Sequence, residues 1–110
     1  MAAELGFPIT DLVMIATSIS ELARNIVLYA KRGEVILGVT IDKLGKRGIV
    51  VVARDDGPGI RDVKQAMQSG YSTSGGLGLG LPGVRRLMDD FQIISEPGKG
   101  TIVTARKWSQ

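Results

Sequence analysis

The chain has 110 residues, of which 44% are hydrophobic and 23% charged, and a formal net charge of +3; this is the composition of one ordinary globular domain. The absence of cysteine and histidine excludes disulfides, thiolate and imidazole zinc ligands, a cysteine nucleophile, and histidine catalysis or phosphorylation within this chain. The mild positive charge favours an anionic ligand, but the chain lacks the clustered basic and aromatic residues that are typical of a nucleic-acid-binding protein. We find neither a signal-peptide pattern nor an apolar run of about eighteen residues, so the sequence indicates neither secretion nor a membrane span.

The first predicted element is a helix over residues 11–31. Thr10 is expected to be its N-cap, and Asp11 is a first-turn acid that suits the helix dipole. Gly33, after two basic residues, is expected to stop it. Apolar residues at helical spacing predict the buried stripe, which comprises Leu12, Ile15, Ala16, Ile19, Leu22, Ala23, Ile26 and Ala30.

Glu21 and Asn25 fall on one flank of this helix, beside the apolar stripe, with Ser18 one turn before them. One interpretation is a solvated polar face, since such residues are common on helix surfaces. The other is that Glu21 activates a hydroxyl or a water and that Asn25 holds a divalent cation through its amide oxygen. The helix alone favours the first interpretation.

Two strands are predicted next, over residues 35–41 and 49–54. Both are rich in β-branched residues, and the polar, glycine-containing segment 43–48 between them predicts a hairpin. Residues 49–53 are continuously apolar, which predicts a strand buried on both faces.

Asp55 follows this strand directly, in the segment Asp55-Asp56-Gly57-Pro58-Gly59. Asp-Gly pairs are frequent in plain turns, which is one interpretation. The second glycine exceeds what a turn needs, and we expect it to leave room for a flat ligand against the backbone.

A short helix is predicted over residues 61–69 and a long irregular loop over residues 70–81. The loop is rich in glycine, serine and threonine, so its backbone N–H groups can close around phosphate oxygens. Residues 78–83 match the spelling G-x-G-x-x-G, but no strand precedes them and no acidic residue follows at the required distance, which argues against a dinucleotide fingerprint. No P-loop sequence is present either.

The remaining elements are a helix over residues 82–90 and strands over residues 91–95 and 101–107. Strands linked by hairpins, with helices free to gather on one side, predict a two-layer α/β sandwich rather than an alternating parallel sheet.

Four ordered motifs carry a resemblance to a known family. They are Glu21-Leu-Ala-Arg-Asn25, Asp55-Asp-Gly57-Pro-Gly59, Gly76-Leu-Gly78-Leu-Gly80-Leu and Gly98-Lys-Gly100-Thr101. Together they resemble the N box, two glycine boxes and terminal glycine-threonine motif of the GHKL ATPase/kinase superfamily, and within it the switch protein-serine/threonine kinases of bacterial stress signalling.

The resemblance implies an α+β fold, the Bergerat or histidine-kinase-like ATPase sandwich, with a mixed, mainly antiparallel sheet and helices on one face. It covers residues 1–110 as a single ATP-binding kinase domain. The family has a strand and most of a helix ahead of the position where this chain begins, so we expect the chain to lack the family's N-terminal strand and part of its first helix.

The resemblance also implies ATP or ADP and Mg²⁺ as cofactors. Asp55 would accept a hydrogen bond from the adenine amino group with Thr101 supporting the same edge, Asn25 would coordinate Mg²⁺, and Glu21 would be the general base. The residues lining the adenine slot would be Gly57, Gly59 and Ile60. Those closing over the triphosphate would be Ser72, Thr73, Ser74, Gly75, Gly76, Leu77, Gly78, Leu79 and Gly80.

Kinases of this type phosphorylate a STAS-domain antagonist in a stressosome and then bind a second regulator such as a phosphatase, so the resemblance implies those partners and a cytoplasmic protein, with no nucleic acid or membrane partner. Two alternatives stay open from sequence: an anti-sigma factor kinase of the same superfamily, and a nucleotide-sensing module without phosphotransfer. A histidine-kinase catalytic module is disfavoured because the chain has no phosphoacceptor histidine.

Overall fold

The computed structural model describes residues 6–30, 32–59 and 80–109, which form helices on a four-stranded sheet. The elements in chain order are α1 Ile9–Asn25, a π-helical turn Ile26–Ala30, β1 Gly33–Ile41, β2 Arg47–Asp55, α2 Gly80–Leu87, β3 Asp90–Glu96 and β4 Gly100–Trp108. The helix and the loop predicted between residues 60 and 79 lie outside the described residues.

The sheet has the strand order β1-β2-β4-β3, and all three of these pairings are antiparallel. The β1–β2 hairpin is confirmed. Its turn forms because the Asp42 Oδ1 atom accepts hydrogen bonds from the backbone N–H groups of Leu44 and Lys46, at 2.9 and 2.7 Å. The last strand inserts beside β2, which places the end of β2 next to the start of β4. The α+β two-layer fold is thus the one that the sequence predicts.

One face of the sheet carries the hydrophobic core. Along β2 the side chains of Ile49, Val51 and Ala53 are buried, whereas those of Val50 and Val52 are half-buried. The prediction of a strand buried on both faces is wrong, because both described helices pack on the same side. Core residues from α1, from α2 and the residue after it, and from β4 meet β2 on that side; in that order they are Ile15, Leu22, Val84, Met88, Val103 and Ala105.

Helix α1 begins two residues before the predicted start. Pro8 is the N-cap without a side-chain hydrogen bond, and its carbonyl oxygen accepts the N–H groups of Asp11 and Leu12 at 3.0 and 3.1 Å. Thr10 therefore lies inside the helix, and its prediction as N-cap is wrong. The buried face is also rotated from the predicted stripe, since Ala16 is exposed while Ser18 is fully buried.

The predicted continuous helix changes character after Asn25. The N–H of Ile26 bonds to the carbonyl oxygens of both Leu22 and Ala23, and a π-helical turn follows to Ala30. Gly33 opens β1 instead of stopping a helix. A β-carbon there would lie 2.7 Å from the Ile26 Cγ2 atom and would also overlap the Arg54 carbonyl oxygen, so glycine lets the turn pack closely on the sheet.

The segment Ile9–Ala30 is long and apolar enough to pass a test for a membrane span based on length and composition, with a mean hydropathy of 1.3 in its best window. A core helix passes the same test, and the inner side of α1 contributes Ile15, Leu22 and Ile26 to the core. The sequence analysis found no apolar run of this length and so did not identify Ile9–Ala30 as a segment that passes the test.

Candidate active site

Asp55 ends β2 at the edge where β2, β4 and the following turn meet. Its carboxylate Oδ1 atom accepts a hydrogen bond from the Gly57 backbone N–H at 2.9 Å, a local bond that fixes the side chain over the turn. Asp55 is half-buried and the adjacent Asp56 is exposed. The strand end therefore presents one anchored carboxylate, as the sequence predicts.

The glycines around Asp55 are needed for close backbone approach. A β-carbon on Gly57 would lie 2.6 Å from that of Ala30, and one on Gly59, at φ +77°, would overlap the Glu96 carbonyl oxygen. The Gly98 N–H also donates to the Pro58 carbonyl oxygen at 2.7 Å. The second glycine of the motif thus permits the contact between two turns, a role that the sequence did not suggest.

Gly100 makes the closest of these approaches, and its substitution gives a direct test of this packing. It has φ +97°, and a β-carbon would overlap the Asp55 carbonyl oxygen, whereas Gly98, at φ +81°, has open space around it. We expect Gly100→Ala to lower the free energy of unfolding by about 3 kcal/mol or more and Gly98→Ala by only about 1–2 kcal/mol. Urea denaturation measures both, and equal losses would contradict the overlap.

Thr101 lies directly opposite Asp55 in the β2–β4 ladder and opposite Ser95 in the β3–β4 ladder. It is buried, with 8% of its surface exposed. Its Oγ1 atom is 2.8 Å from Ser95 Oγ, which in turn donates to the Gly100 carbonyl oxygen at 3.1 Å. One carboxylate and two hydroxyls therefore form a row across the end of the sheet.

Ser95 is absent from the predicted site. No sequence motif contains it, and the available signal was indirect: a strand alternation that turns it to the helix side, opposite Thr101 across the turn.

Glu21 lies on the buried side of α1, with 8% of its surface exposed. Its Oε2 atom accepts the backbone N–H of Gly80, the first residue of α2, at 3.3 Å. A carboxylate at a helix N-terminus is electrostatically favoured. The interpretation of Glu21 as part of a solvated polar face is therefore wrong for this residue.

Ser18 lies one turn before Glu21. Its Oγ atom is buried and has no hydrogen-bond partner among the residues that the structure describes. Ser18 and Glu21 are thus two buried polar residues, one turn apart, on the same side of α1.

Asn25 is the last residue of α1 and is half-buried. The π-helical turn begins immediately after it, and π-helical turns occur frequently at functional sites. That turn reaches the Asp55 corner through the contact of Ala30 with Gly57. In this way the π-helical turn connects the Glu21–Asn25 flank of α1 to the strand end.

The described part of the predicted site thus falls into two groups. Asp55, Gly57, Gly59 and Thr101 gather at the end of the sheet, and Glu21, Asn25 and Gly80 lie at α1 and the start of α2. The other predicted residues, Ile60, Ser72, Thr73, Ser74, Gly75, Gly76, Leu77, Gly78 and Leu79, are outside the described residues.

Among residues 6–30, 32–59 and 80–109, no three acidic, cysteine or histidine side chains cluster as a metal-binding group. The donors at hand, one amide and scattered carboxylates, fit Mg²⁺ of the kind held largely by phosphate oxygens and waters. The carboxylate and the two hydroxyls at the sheet end can accept hydrogen bonds from an amino group of a ligand.

Residues 10–109 match the family described as histidine kinase-, DNA gyrase B-, and HSP90-like ATPase. The chain belongs to this ATPase family. It is 53% identical over 108 residues to the serine/threonine-protein kinase RsbT of Bacillus subtilis, covering 98% of this chain and 80% of that one. It is 32% identical over 111 residues to the anti-sigma F factor of Caldanaerobacter subterraneus, covering 97% and 77% respectively.

Solved structures show the same fold. Full-length ShkA in complex with AMPPNP matches with a TM-score of 0.62 and 24% identity, over 88% of this chain and 22% of that chain. The histidine kinase domain of the blue-light activated kinase from Erythrobacter litoralis EL346 also matches with a TM-score of 0.62 and 24% identity, over 91% and 45%. This chain therefore spans less than half of either solved chain.

Proposed function

We propose that this protein transfers the terminal phosphoryl group of ATP to a serine or threonine of a STAS-domain antagonist, in a cytoplasmic stress-signalling switch of the stressosome type. Sequence similarity supports the general activity: the protein is a serine/threonine-protein kinase in the ATPase family. The structural observation that carries the proposal is the hydrogen bond between the buried Glu21 carboxylate and the backbone N–H of Gly80, the first residue of α2. After phosphorylation the protein would bind a second regulator, such as a phosphatase.

The row at the end of the sheet supports recognition of adenine. An ionised carboxylate only accepts hydrogen bonds, and the adenine amino group donates them. Asp55, held by the Gly57 N–H, would accept from that amino group, and Thr101 would support the same edge. Gly57, Gly59 and Ile60 would line the slot.

The start of α2 supports binding of the phosphates. Residues 72–80 would surround the triphosphate with backbone N–H groups and hydroxyls, as helix N-termini and glycine-rich loops do. Asn25 would hold Mg²⁺ through its amide oxygen. When bound, Mg²⁺ would offset the charge of the phosphates.

Glu21 would accept the proton of the attacking hydroxyl. As the substrate oxygen forms its bond to the terminal phosphorus, the bond to the bridging oxygen breaks, ADP leaves, and the hydroxyl proton moves to the Glu21 carboxylate. A base in this position contributes about 10²–10⁴ in rate. Glu21 is buried in the helix interface, and the hydrogen bond from the Gly80 N–H would hold its carboxylate in a fixed orientation.

The relatives named anti-sigma F factor favour a second candidate, a kinase of the same fold that sequesters a sigma factor. The two candidates share the nucleotide site and differ in the protein that they bind. A third alternative, a nucleotide-sensing module, would bind ATP without transferring phosphate.

Radiolabelled ATP incubated with the purified protein and a STAS-domain protein tests the proposal. We expect magnesium-dependent label on the STAS protein, and none when the acceptor serine is replaced by alanine or when EDTA is added, because phosphoryl transfer depends on metal to offset the phosphate charge. Parallel pull-downs with a sigma factor test the second candidate. Binding of ATP with no label on the STAS protein would contradict the kinase proposal for that substrate.

A further inference from the structure

Asp55, Thr101 and Ser95 are neighbours across three adjacent strands. The strand registers pair Asp55 with Thr101 and Ser95 with Thr101, and all three side chains lie on the helix side of the sheet by alternation with the buried Ala53 and Val103. Thr101 is the middle member and is buried. A ligand that contacts Asp55 on this face of the sheet would therefore lie next to Thr101.

The two hydroxyl contacts between Ser95, Gly100 and Thr101 favour one arrangement of the hydroxyl protons. Ser95 Oγ is 3.1 Å from the Gly100 carbonyl oxygen, and a carbonyl oxygen can only accept, so Ser95 is the donor. A hydroxyl has a single proton. When that proton points to the Gly100 carbonyl, the 2.8 Å contact between Ser95 Oγ and Thr101 Oγ1 is satisfied with Thr101 as the donor and Ser95 as the acceptor.

When Thr101 donates its proton to Ser95, its hydroxyl oxygen can only accept a hydrogen bond from any further partner. Because the Asp55 carboxylate also only accepts hydrogen bonds when ionised, the row presents acceptors to the slot. A row of acceptors favours a ring substituent that donates a hydrogen bond, as the adenine amino group does. It disfavours a carbonyl oxygen at the same position, as in guanine or hypoxanthine.

We infer that Ser95 is a specificity-determining residue of the nucleotide site, which holds the Thr101 hydroxyl as an acceptor and so favours adenine over 6-oxo purines. This inference rests on the proposed function of the site as an ATP pocket. Ser95 acts through Thr101 and the β3–β4 pairing, so it is a positioning residue.

Nucleotide discrimination in Ser95→Ala tests the inference. ATP and inosine triphosphate differ at the position that the acceptor row would contact, and calorimetry gives the dissociation constant of each with magnesium present. In Ser95→Ala the Thr101 proton is released to donate to a carbonyl, so we expect the ratio of ATP to inosine triphosphate affinity to fall about three- to tenfold, the worth of one neutral hydrogen bond. Because the readout is a ratio, a general loss of stability does not move it.

Two matched variants sharpen the measurement. Ser95→Thr keeps a hydroxyl at the same position and should keep the ratio of the unmodified protein. Thr104→Ala removes a hydroxyl from the opposite face of β4 and should leave the ratio unchanged. NMR assignment of the hydroxyl proton between the two side chains to Thr101 is expected in the unmodified protein.

The outcomes separate the two levels of inference. If the unmodified protein binds neither nucleotide, the proposed function falls and the role of Ser95 falls with it. If it prefers ATP but Ser95→Ala shows the same ratio within about twofold, below the worth of one hydrogen bond, the role of Ser95 alone is overturned. Assignment of the shared proton to Ser95 would overturn it as well.

Discussion

Replacing Asp55 with asparagine is expected to weaken ATP binding about ten- to hundredfold. A hydrogen bond to a charged group is worth about 1.5–3 kcal/mol, which corresponds to that range of affinity. The asparagine side chain keeps an oxygen that can accept the Gly57 N–H, now bound by Asp55 Oδ1 at 2.9 Å, so the turn should survive the change. Calorimetric titration with magnesium and ATP measures the effect.

Asp56→Asn is the matched control for this prediction. It removes the same charge one residue away, on an exposed side chain, and should change ATP affinity by less than about threefold because exposed charges are strongly screened. Equal effects of the two variants would show that the general charge of this turn, and not the placement of Asp55, governs binding.

Glu21→Gln is expected to slow phosphoryl transfer to the STAS protein about 10²–10⁴-fold, the usual contribution of a general base. The amide keeps an oxygen for the Gly80 N–H, now 3.3 Å from Glu21 Oε2, so the start of α2 should stay in place. ATP affinity should change by less than about threefold, because the lost interaction is made in the transition state. Single-turnover transfer of labelled phosphate and calorimetry measure the two quantities separately.

Glu34→Gln serves as the control for the Glu21 variant. Glu34 lies on β1 and pairs with Arg54 at 3.7 Å on an exposed surface, and its loss should leave transfer unchanged. Undiminished transfer by Glu21→Gln would remove Glu21 from the role of base. A parallel collapse of ATP affinity would instead show that Glu21 acts mainly by holding α2.

The sequence predicts the parts of the fold that local chemistry specifies. The glycine-marked turn after β1 predicts the hairpin, the carboxylate at the end of an apolar strand predicts the Asp55 corner, and helical spacing predicts α1. Each of these signals lies within one continuous stretch of sequence, where propensity, periodicity and turn chemistry act locally.

What the sequence missed depends on contacts between distant segments. The burial of Glu21 results from α2, whose first residue is 59 positions later. The π-helical turn makes close contacts with distant glycines, Ile26 with Gly33 and Ala30 with Gly57. Ser95 gains its role only when β3 and β4 pair, and the one-sided burial of β2 depends on where the helices settle.

The turn after β2 contacts the turn between β3 and β4 through backbone atoms. The Gly98 N–H donates a 2.7 Å hydrogen bond to the Pro58 carbonyl oxygen, and Gly59 lies close to the Glu96 carbonyl group. The carboxylate and hydroxyls at this end of the sheet are therefore held in a preorganised arrangement before any ligand arrives. A ligand that binds there does not have to order these groups, so little conformational entropy is lost at this end upon association.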